Sequence, residues 1–398
     1  MSIYFKNVII MGMRAVSFDK NVSEWMLDPN IHYLNHGSFG ARRLEIFEKQ
    51  VFYKEQFERD PIDFLDRNEA LLESSRANIA YFLGASLSGF GFVDNATTGV
   101  GSVMNSVSLS PGDEVATTNH VYNGVRQLLK HHARKNSLLY REIPIQIPID
   151  SSEHIIKLIT KGLSDKTKLL VIDHVASASS ILFPVLEITK ICRERGILVL
   201  VDGAHAPGML DLNISSLDPD WYVGNLHKWI CSPLGAAFVW ANETKQKTTR
   251  PLTISHNLDQ GMASEFSWQG TRDISAWLCA SDAVLLGQSL GWDKIRSTNH
   301  NQAVKFQEIL TESWNVMPFS PLDGCLIGSM VTVELPNRAP QEMNDCLKLS
   351  ERLYREYNIE IPIFEFQNRG CARISSQLYV TSENLNQFID ALREIIHS

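Results

Sequence analysis

At 398 residues the chain exceeds what one hydrophobic core usually organises, so a large domain with a smaller companion is expected and a short binding module is excluded. Hydrophobic residues at 44% and charged residues at 21% match ordinary globular composition, and no repeat or low-complexity tract suggests disorder. The 37 basic against 45 acidic side chains give a net charge of −8 with no long basic run, which disfavours nucleic acid as a partner.

Residues 1–32 read as an N-terminal extension. Its apolar stretch Val8 to Met13, between Lys6 and Arg14, is too short for a signal-peptide core and has no small-residue cleavage site, and Met11 and Met13 are alternative starts. No membrane span is expected. From Leu44 to Leu83 apolar positions recur at helical spacing, broken at Asp60-Pro61, where the proline is placed to open a second helix. Short β-branched or apolar runs follow at Gly91–Val93, Glu114–Ala116, Leu138–Glu142, Leu169–Ile172, Leu198–Val201, Trp221–Val223 and Ala236–Trp240. They mostly alternate with helical patterns such as Val121–Asn136 and Pro184–Arg195, which predicts an α/β domain over 33–255 with a mostly parallel seven-stranded sheet covered on both faces. Beyond 255 long helical stretches (Ala276–Leu290, Asp293–Glu312, Gln341–Tyr357, Asn384–Ile396) enclose the strands Ser329–Leu335 and Cys371–Ser375, predicting a smaller α+β domain over 256–398. The six cysteines are scattered without a C-x-x-C pair, which argues against a disulfide framework or thiolate zinc site and fits a cytoplasmic protein.

In a parallel α/β sheet ligands sit beyond the carboxyl ends of the strands, so polar residues there are the candidates. Asp94-Asn95-Ala96-Thr97-Thr98-Gly99 ends a strand and opens a helix; its free N–H groups and the Thr97 and Thr98 hydroxyls suit a phosphate, although a simple N-cap would explain the same residues. Gly89 and Gly91 begin a dinucleotide fingerprint, but Asp94 replaces its third glycine, so NAD is disfavoured. Asp202 ends a buried strand in Val201–Gly208, with His205 in the turn and no adjacent cation, so its partner must come from elsewhere. Lys228, between His227 and Trp229 after another strand, would in isolation be an ordinary solvated lysine. Asp173-His174 is followed by Ser177, Ser179 and Ser180. A phosphate cradle, a strand-end acid and a lysine together make the set that pyridoxal 5′-phosphate requires.

The sequence also resembles the aminotransferase class V family of fold-type I pyridoxal phosphate enzymes, and within it the isopenicillin N epimerase-like branch. The resemblance rests on Tyr33–Gly40, Asn95–Thr98, Val201–Gly208, His227–Trp229, Trp268–Asp273 and Ala372–Ser375. It implies Lys228 as the Schiff-base lysine, Asp202 as partner of the pyridine nitrogen and His205 on the phenolic oxygen. It implies Tyr122, with His120 as a competitor, as the aromatic plate over the ring. Thr97 and Thr98 would hold the phosphate, with Thr271 contributing from the neighbouring subunit of a homodimer, and His227 would also bind the cofactor. Arg373 would bind the carboxylate of an α-amino acid, as a planar guanidinium suits a planar anion, beside Asn35 and His36. Where the branch has serine-proline-threonine-glycine, this chain has Ser177-Ala178-Ser179-Ser180, which leaves the substrate side chain open.

The reactions so implied all begin with proton loss at Cα, with Lys228 as base, and then diverge to epimerisation, β-elimination at a C–S bond or transamination. A two-base epimerase needs a second proton donor, for which His36 is the candidate. A cysteine desulfurase needs a reactive loop thiol; Cys325 is the only loop cysteine to test, and its apolar surroundings favour a structural reading. A divalent-metal hydrolase built on Asp173, His174, Asp202 and His205 would leave Lys228, Arg373 and the phosphate cradle without a task. A catalytically silent member is disfavoured by the presence of both Lys228 and Asp202.

Overall fold

The computed structural model describes residues 24–397, so most of the N-terminal extension, with Val8–Met13, lies outside the described residues. Helix α1 (Leu44–Arg59) and helix α2 (Pro61–Phe82) meet at Asp60, whose side chain accepts the Asp63 N–H while Pro61 opens α2. The proline needs no backbone partner there, and this is why the break falls where the sequence puts it.

The seven expected runs form β1 (Phe90–Val93), β2 (Glu114–Thr118), β3 (Leu139–Ile143), β4 (Thr167–Asp173), β5 (Leu198–Asp202), β6 (Trp221–Asn225) and β7 (Ala237–Ala241). They build one sheet in the order β1-β7-β6-β5-β4-β2-β3, parallel except for β7. Along β4 the apolar residues divide between the two faces. Leu169 and Val171 join the core under α3 (Ala96–Ser106) and α4 (Asn123–Lys135), while Leu170 and Ile172 join the core under α1, α2, α5 (Ser152–Gly162) and α6 (Val185–Glu194). A strand covered on both sides has no solvent face to make polar, hence its unbroken apolar run. The chain leaves β2 toward β3 and leaves β4 toward β5, so the strand order reverses between β2 and β4, opening a crevice at their carboxyl ends.

The smaller sheet runs β9 (Ile363–Phe366), β10 (Arg369–Ser375), β8 (Met330–Glu334), all antiparallel, packed with α8 (Trp292–Trp314), α9 (Met343–Tyr357) and α10 (Ser382–His397). Strand β9 was not evident from sequence; a tight turn at Gln367-Asn368, with φ 50° and 60°, folds it onto β10. The two apolar cores do not part at residue 255. Helix α7 (Ser275–Leu290), apolar on nearly every side, gives Trp277, Leu278 and Ala283 to the large-domain core, and Trp25 and Leu34 join the small-domain core. A helix apolar all round must be covered all round, and α1, α2 and α8, with the turn at 232–235, give it that cover. Among the described residues no helix is long and apolar enough to cross a membrane.

The segment Asn35–Ala41 crosses over the end of the large sheet. At Gly40, with φ +75°, an added Cβ would stand 2.1 Å from the His227 carbonyl oxygen, so glycine is required by both conformation and space.

Candidate active site

A cavity of about 610 Å³ lies over the carboxyl ends of β4, β5 and β6. At one end α3 begins. Asn95 caps it, its Oδ1 accepting the Thr98 N–H at 2.8 Å and the Thr98 hydroxyl at 3.1 Å, while Ala96 N–H is donated to Asn225 Oδ1 at 2.8 Å. The N-cap reading therefore describes this turn. Thr97 and Thr98 both line the cavity, but the Thr98 hydroxyl proton is already committed to Asn95. The Thr97 N–H, in the first helical turn, has no intrahelical acceptor.

Lys228 follows β6 in the turn after Asn225. Burial, then the Arg373 charge, pushes its amine down to about 7, and Nζ stands 3.2 Å from His205 Nε2. His205 is buried and held well below its ordinary range, first by burial and then by the Lys228 charge, so it is neutral. Asp202 is buried with one oxygen accepting the Ala204 N–H at 3.0 Å; burial raises its pKa and the Lys228 charge opposes the rise. His227 lines the cavity and is fixed by Nδ1 at 3.0 Å from the Ala236 carbonyl.

Tyr122 lines the cavity at the N-terminus of α4 and is half exposed. Its competitor His120 is buried away from the cavity, its ring nitrogens engaged by Ser179 Oγ at 2.7 Å and Ile145 O at 2.9 Å and its ring edge-on to Phe183 and Phe366. Of the two, only Tyr122 borders the cavity.

At the far end Arg373, from β10, is buried and pushed down to about 10 by that burial. Its Nη1 donates to the carbonyl (2.9 Å) and hydroxyl (3.0 Å) of Ser177, and its Nη2 to Ser38 Oγ at 2.9 Å and Asn35 Oδ1 at 3.4 Å. Asn35 acts from behind the wall, its Nδ2 donating to Glu360 at 2.9 Å. The departure at 177–180 keeps the wall intact: Ser180 adopts φ +60°, and its hydroxyl bonds Thr332 Oγ1 at 2.9 Å.

His36 is the correction. It is fully buried outside the cavity, with Nδ1 at 2.9 Å from Tyr379 Oη and Nε2 at 3.1 Å from the Lys228 carbonyl, and burial drives its pKa down to about 3. An imidazole so enclosed is a brace under the lysine peptide; it reaches neither substrate nor solvent protons. A turn of the chain aims Ser38 and Phe39, not His36, into the cavity. Thr271 is likewise not brought to this chain's own cavity: it lies with Trp268 and Arg272 along a separate cavity of about 390 Å³. Arg272 there pairs with Asp94 and stacks 4.3 Å above Trp277.

The metal-hydrolase side chains are occupied otherwise, His174 by Tyr222 Oη at 2.8 Å and His205 by Lys228, and among the described residues no three His, Cys, Asp or Glu converge as a metal site. Cys325 opens on a different groove, and burial, with Asp323 beside it, raises its thiol, which disfavours a reactive thiolate there. Residues with no role assigned from sequence, Ser38, Ser177 and Asn225, belong to the cavity; Ser38 and Ser177 were inside quoted motifs, but nothing in a sequence tells which polar side chain of a turn faces inward.

The bordering side chains suit pyridoxal phosphate. Asp173, His205 and Arg373 each keep one buried polar atom without a protein partner, and Lys228 and Arg373 oppose each other's charge in one enclosed space until anions join them. Residues 52–388 match the aminotransferase class-V family. The chain belongs to that family. It is a pyridoxal-phosphate-dependent enzyme. Curated relatives include an isopenicillin N epimerase of Amycolatopsis lactamdurans, 28% identical with 93% of this chain and 96% of the relative covered. A probable chloroplastic L-cysteine desulfhydrase of Arabidopsis thaliana is 30% identical, with 93% and 84% covered. The fold is shared with the cystine C–S lyase C-DES, solved in complex with its product cysteine persulfide, at TM-score 0.78 and 20% identity with 92% and 97% covered.

Proposed function

We propose that this class-V enzyme is a C–S lyase, eliminating the sulfur substituent of a cysteine-type α-amino acid. The observation that carries the choice over epimerisation is the enclosure of His36, which takes the candidate second proton donor out of the cavity and leaves the Lys228 amine, near 7, as the base that bears directly on the substrate. The similarity to L-cysteine desulfhydrases supports the same reading.

When bound, pyridoxal phosphate supplies an electron-accepting ring for the pair left at Cα. The protein does the rest. Arg373 takes the substrate carboxylate by exchanging its contacts with the Ser38 and Ser177 hydroxyls for a two-pronged bond, which fixes Cα relative to Lys228. Lys228 removes the Cα proton, and the ammonium so formed is a proton source for the departing sulfur. Asp202 would keep the ring nitrogen protonated, Thr97 and the first turn of α3 would hold the phosphate, and Tyr122 would cover the ring.

A homodimer belongs to this reading, with Thr271 of each copy serving the other's phosphate end. Phe39 and Tyr122, exposed by 64% and 50% at the cavity rim, give the second copy an apolar surface to cover. The test of the reaction is incubation with L-cysteine and its S-conjugates in deuterium oxide. Pyruvate, ammonia and free thiol or sulfide are expected; deuterated amino acid of inverted configuration without pyruvate would replace the lyase by an epimerase.

A further inference from the structure

Asp173 ends β4 as Asp202 ends β5, and the two are paired in register across these parallel strands. Such neighbours send their side chains to the same face from backbones about 5 Å apart. Both carboxyls border the cavity, with exposures of 3% and 2%. Asp173 accepts the main-chain N–H of Tyr122, the residue that opens α4, and its Oδ2 has no protein partner. The cations in range are engaged elsewhere: Arg126 with Glu142 at 3.1 Å, and Lys228 with His205. The other titratable neighbours, His174 and Tyr222, are both buried, bonded to each other and uncharged.

Two carboxyls side by side in a water-poor site, with no cation dedicated to the second, do not both ionise; the pair keeps one proton. Resting on the pyridoxal phosphate assignment, we propose that Asp173 is a positioning residue at the ring-nitrogen end of the site, a protonated neighbour of Asp202 that takes over its negative charge when Asp202 is neutralised. In the native enzyme Asp202, bonded to Ala204 N–H and facing Lys228, carries the charge. Burial and the Asp202 charge hold the Asp173 proton on well above the usual carboxylate range. Remove the charge from Asp202 and the larger part of what opposes Asp173 ionisation beyond burial disappears. The Tyr122 N–H bond meanwhile ties the ring's aromatic cover to the strand that carries the second acid.

The test is a double-mutant cycle read on cofactor affinity. Apoprotein of wild type, Asp173→Asn, Asp202→Asn and the double variant is titrated with pyridoxal phosphate by absorbance, after thermal unfolding has confirmed that each is folded. Asp173→Asn exchanges a neutral carboxyl for a neutral amide, so its Kd should stay within about threefold of wild type. Asp202→Asn should weaken binding by about tenfold, because Asp173 ionises in its place, and the double variant should be weaker than the product of the singles by at least about tenfold. The benzene analogue of the cofactor, which has no ring nitrogen, should show no such excess. A double variant equal to the product of the singles, or the same excess with the nitrogen-free analogue, makes Asp173 merely structural and overturns the proposal. So does an Asp173→Asn loss as large as that of Asp202→Asn. Failure of wild-type apoprotein to bind pyridoxal phosphate would instead overturn the cofactor assignment.

Discussion

Asp202, His205 and Lys228 hang from the ends of two adjacent strands, β5 and β6, so the lysine end of the cavity exists as soon as the large sheet forms. The arginine end is assembled differently. Arg373 comes from β10 of the smaller sheet and is held by Ser177, beyond β4, and by Asn35 and Ser38 from the N-terminal segment. Both ends carry buried basic groups whose pKa values burial lowers; at Lys228 the Arg373 charge adds to the fall, whereas at Arg373 Tyr33 and Tyr122 oppose it. Their difference is mechanical: the lysine end needs one sheet, whereas the arginine end needs three stretches of chain docked together, with His36 linking Tyr379 of the small domain to the Lys228 carbonyl. The seating of Arg373 is thus tied to domain packing, and that of Lys228 much less so.

The comparison breaks most visibly at Lys228. Lys228→Ala should lower turnover by more than about 10³-fold, and borohydride should fix no cofactor to the variant. A reducible protein adduct in that variant would move the attachment point elsewhere. At the other end, Arg373→Lys keeps the charge but loses the two-pronged geometry, so kcat/KM for amino acids should fall by about two to three orders of magnitude. Cofactor binding should change little. If simple amines then react as fast as amino acids do with the native enzyme, Arg373 holds the domains and not the substrate.

The buried amine also leaves a signature in stability. An unfolded lysine titrates near 10.4 and the folded Lys228 near 7, so between these values the unfolded chain binds the extra proton. Cofactor-free enzyme should therefore gain stability as pH rises through that window, by about 2 kcal/mol between pH 7.5 and 9, and Lys228→Met should remove this gain. Denaturant midpoints at the two pH values decide it; an equal slope in the variant would assign the proton to another group. The smallest effect separates docking from backbone conformation. Gly40 and Gly112 both have positive φ, at 75° and 90°, but only at Gly40 would a Cβ strike backbone. Gly112→Ala should cost about 1 kcal/mol and Gly40→Ala about 1–2 kcal/mol more, with reduced activity from displacing the Lys228 peptide. Equal thermal shifts would show that the Asn35–Ala41 segment is not seated on the lysine turn.

What the sequence determined by itself was whatever is written locally. The unbroken apolar runs of β4 and β5 announced strands covered on both faces, Asp60-Pro61 marked the break between α1 and α2, and Asp202, Lys228 and the α3 turn stood at the strand ends where such a sheet binds ligands. Only the tertiary structure decided which residue of a motif faces the site. In Asn35–Gly40 the chain turns so that Ser38 enters the cavity, Asn35 supports Arg373 from behind and His36 points into the core; in the 119–123 stretch Tyr122 was chosen over His120. It also decided that α7 belongs with the large core, and that Asp173 and Asp202, 29 positions apart, stand side by side. Side-chain direction in a turn and the register between strands follow from contacts between distant segments, and a one-residue shift in either would reverse them without changing any local propensity.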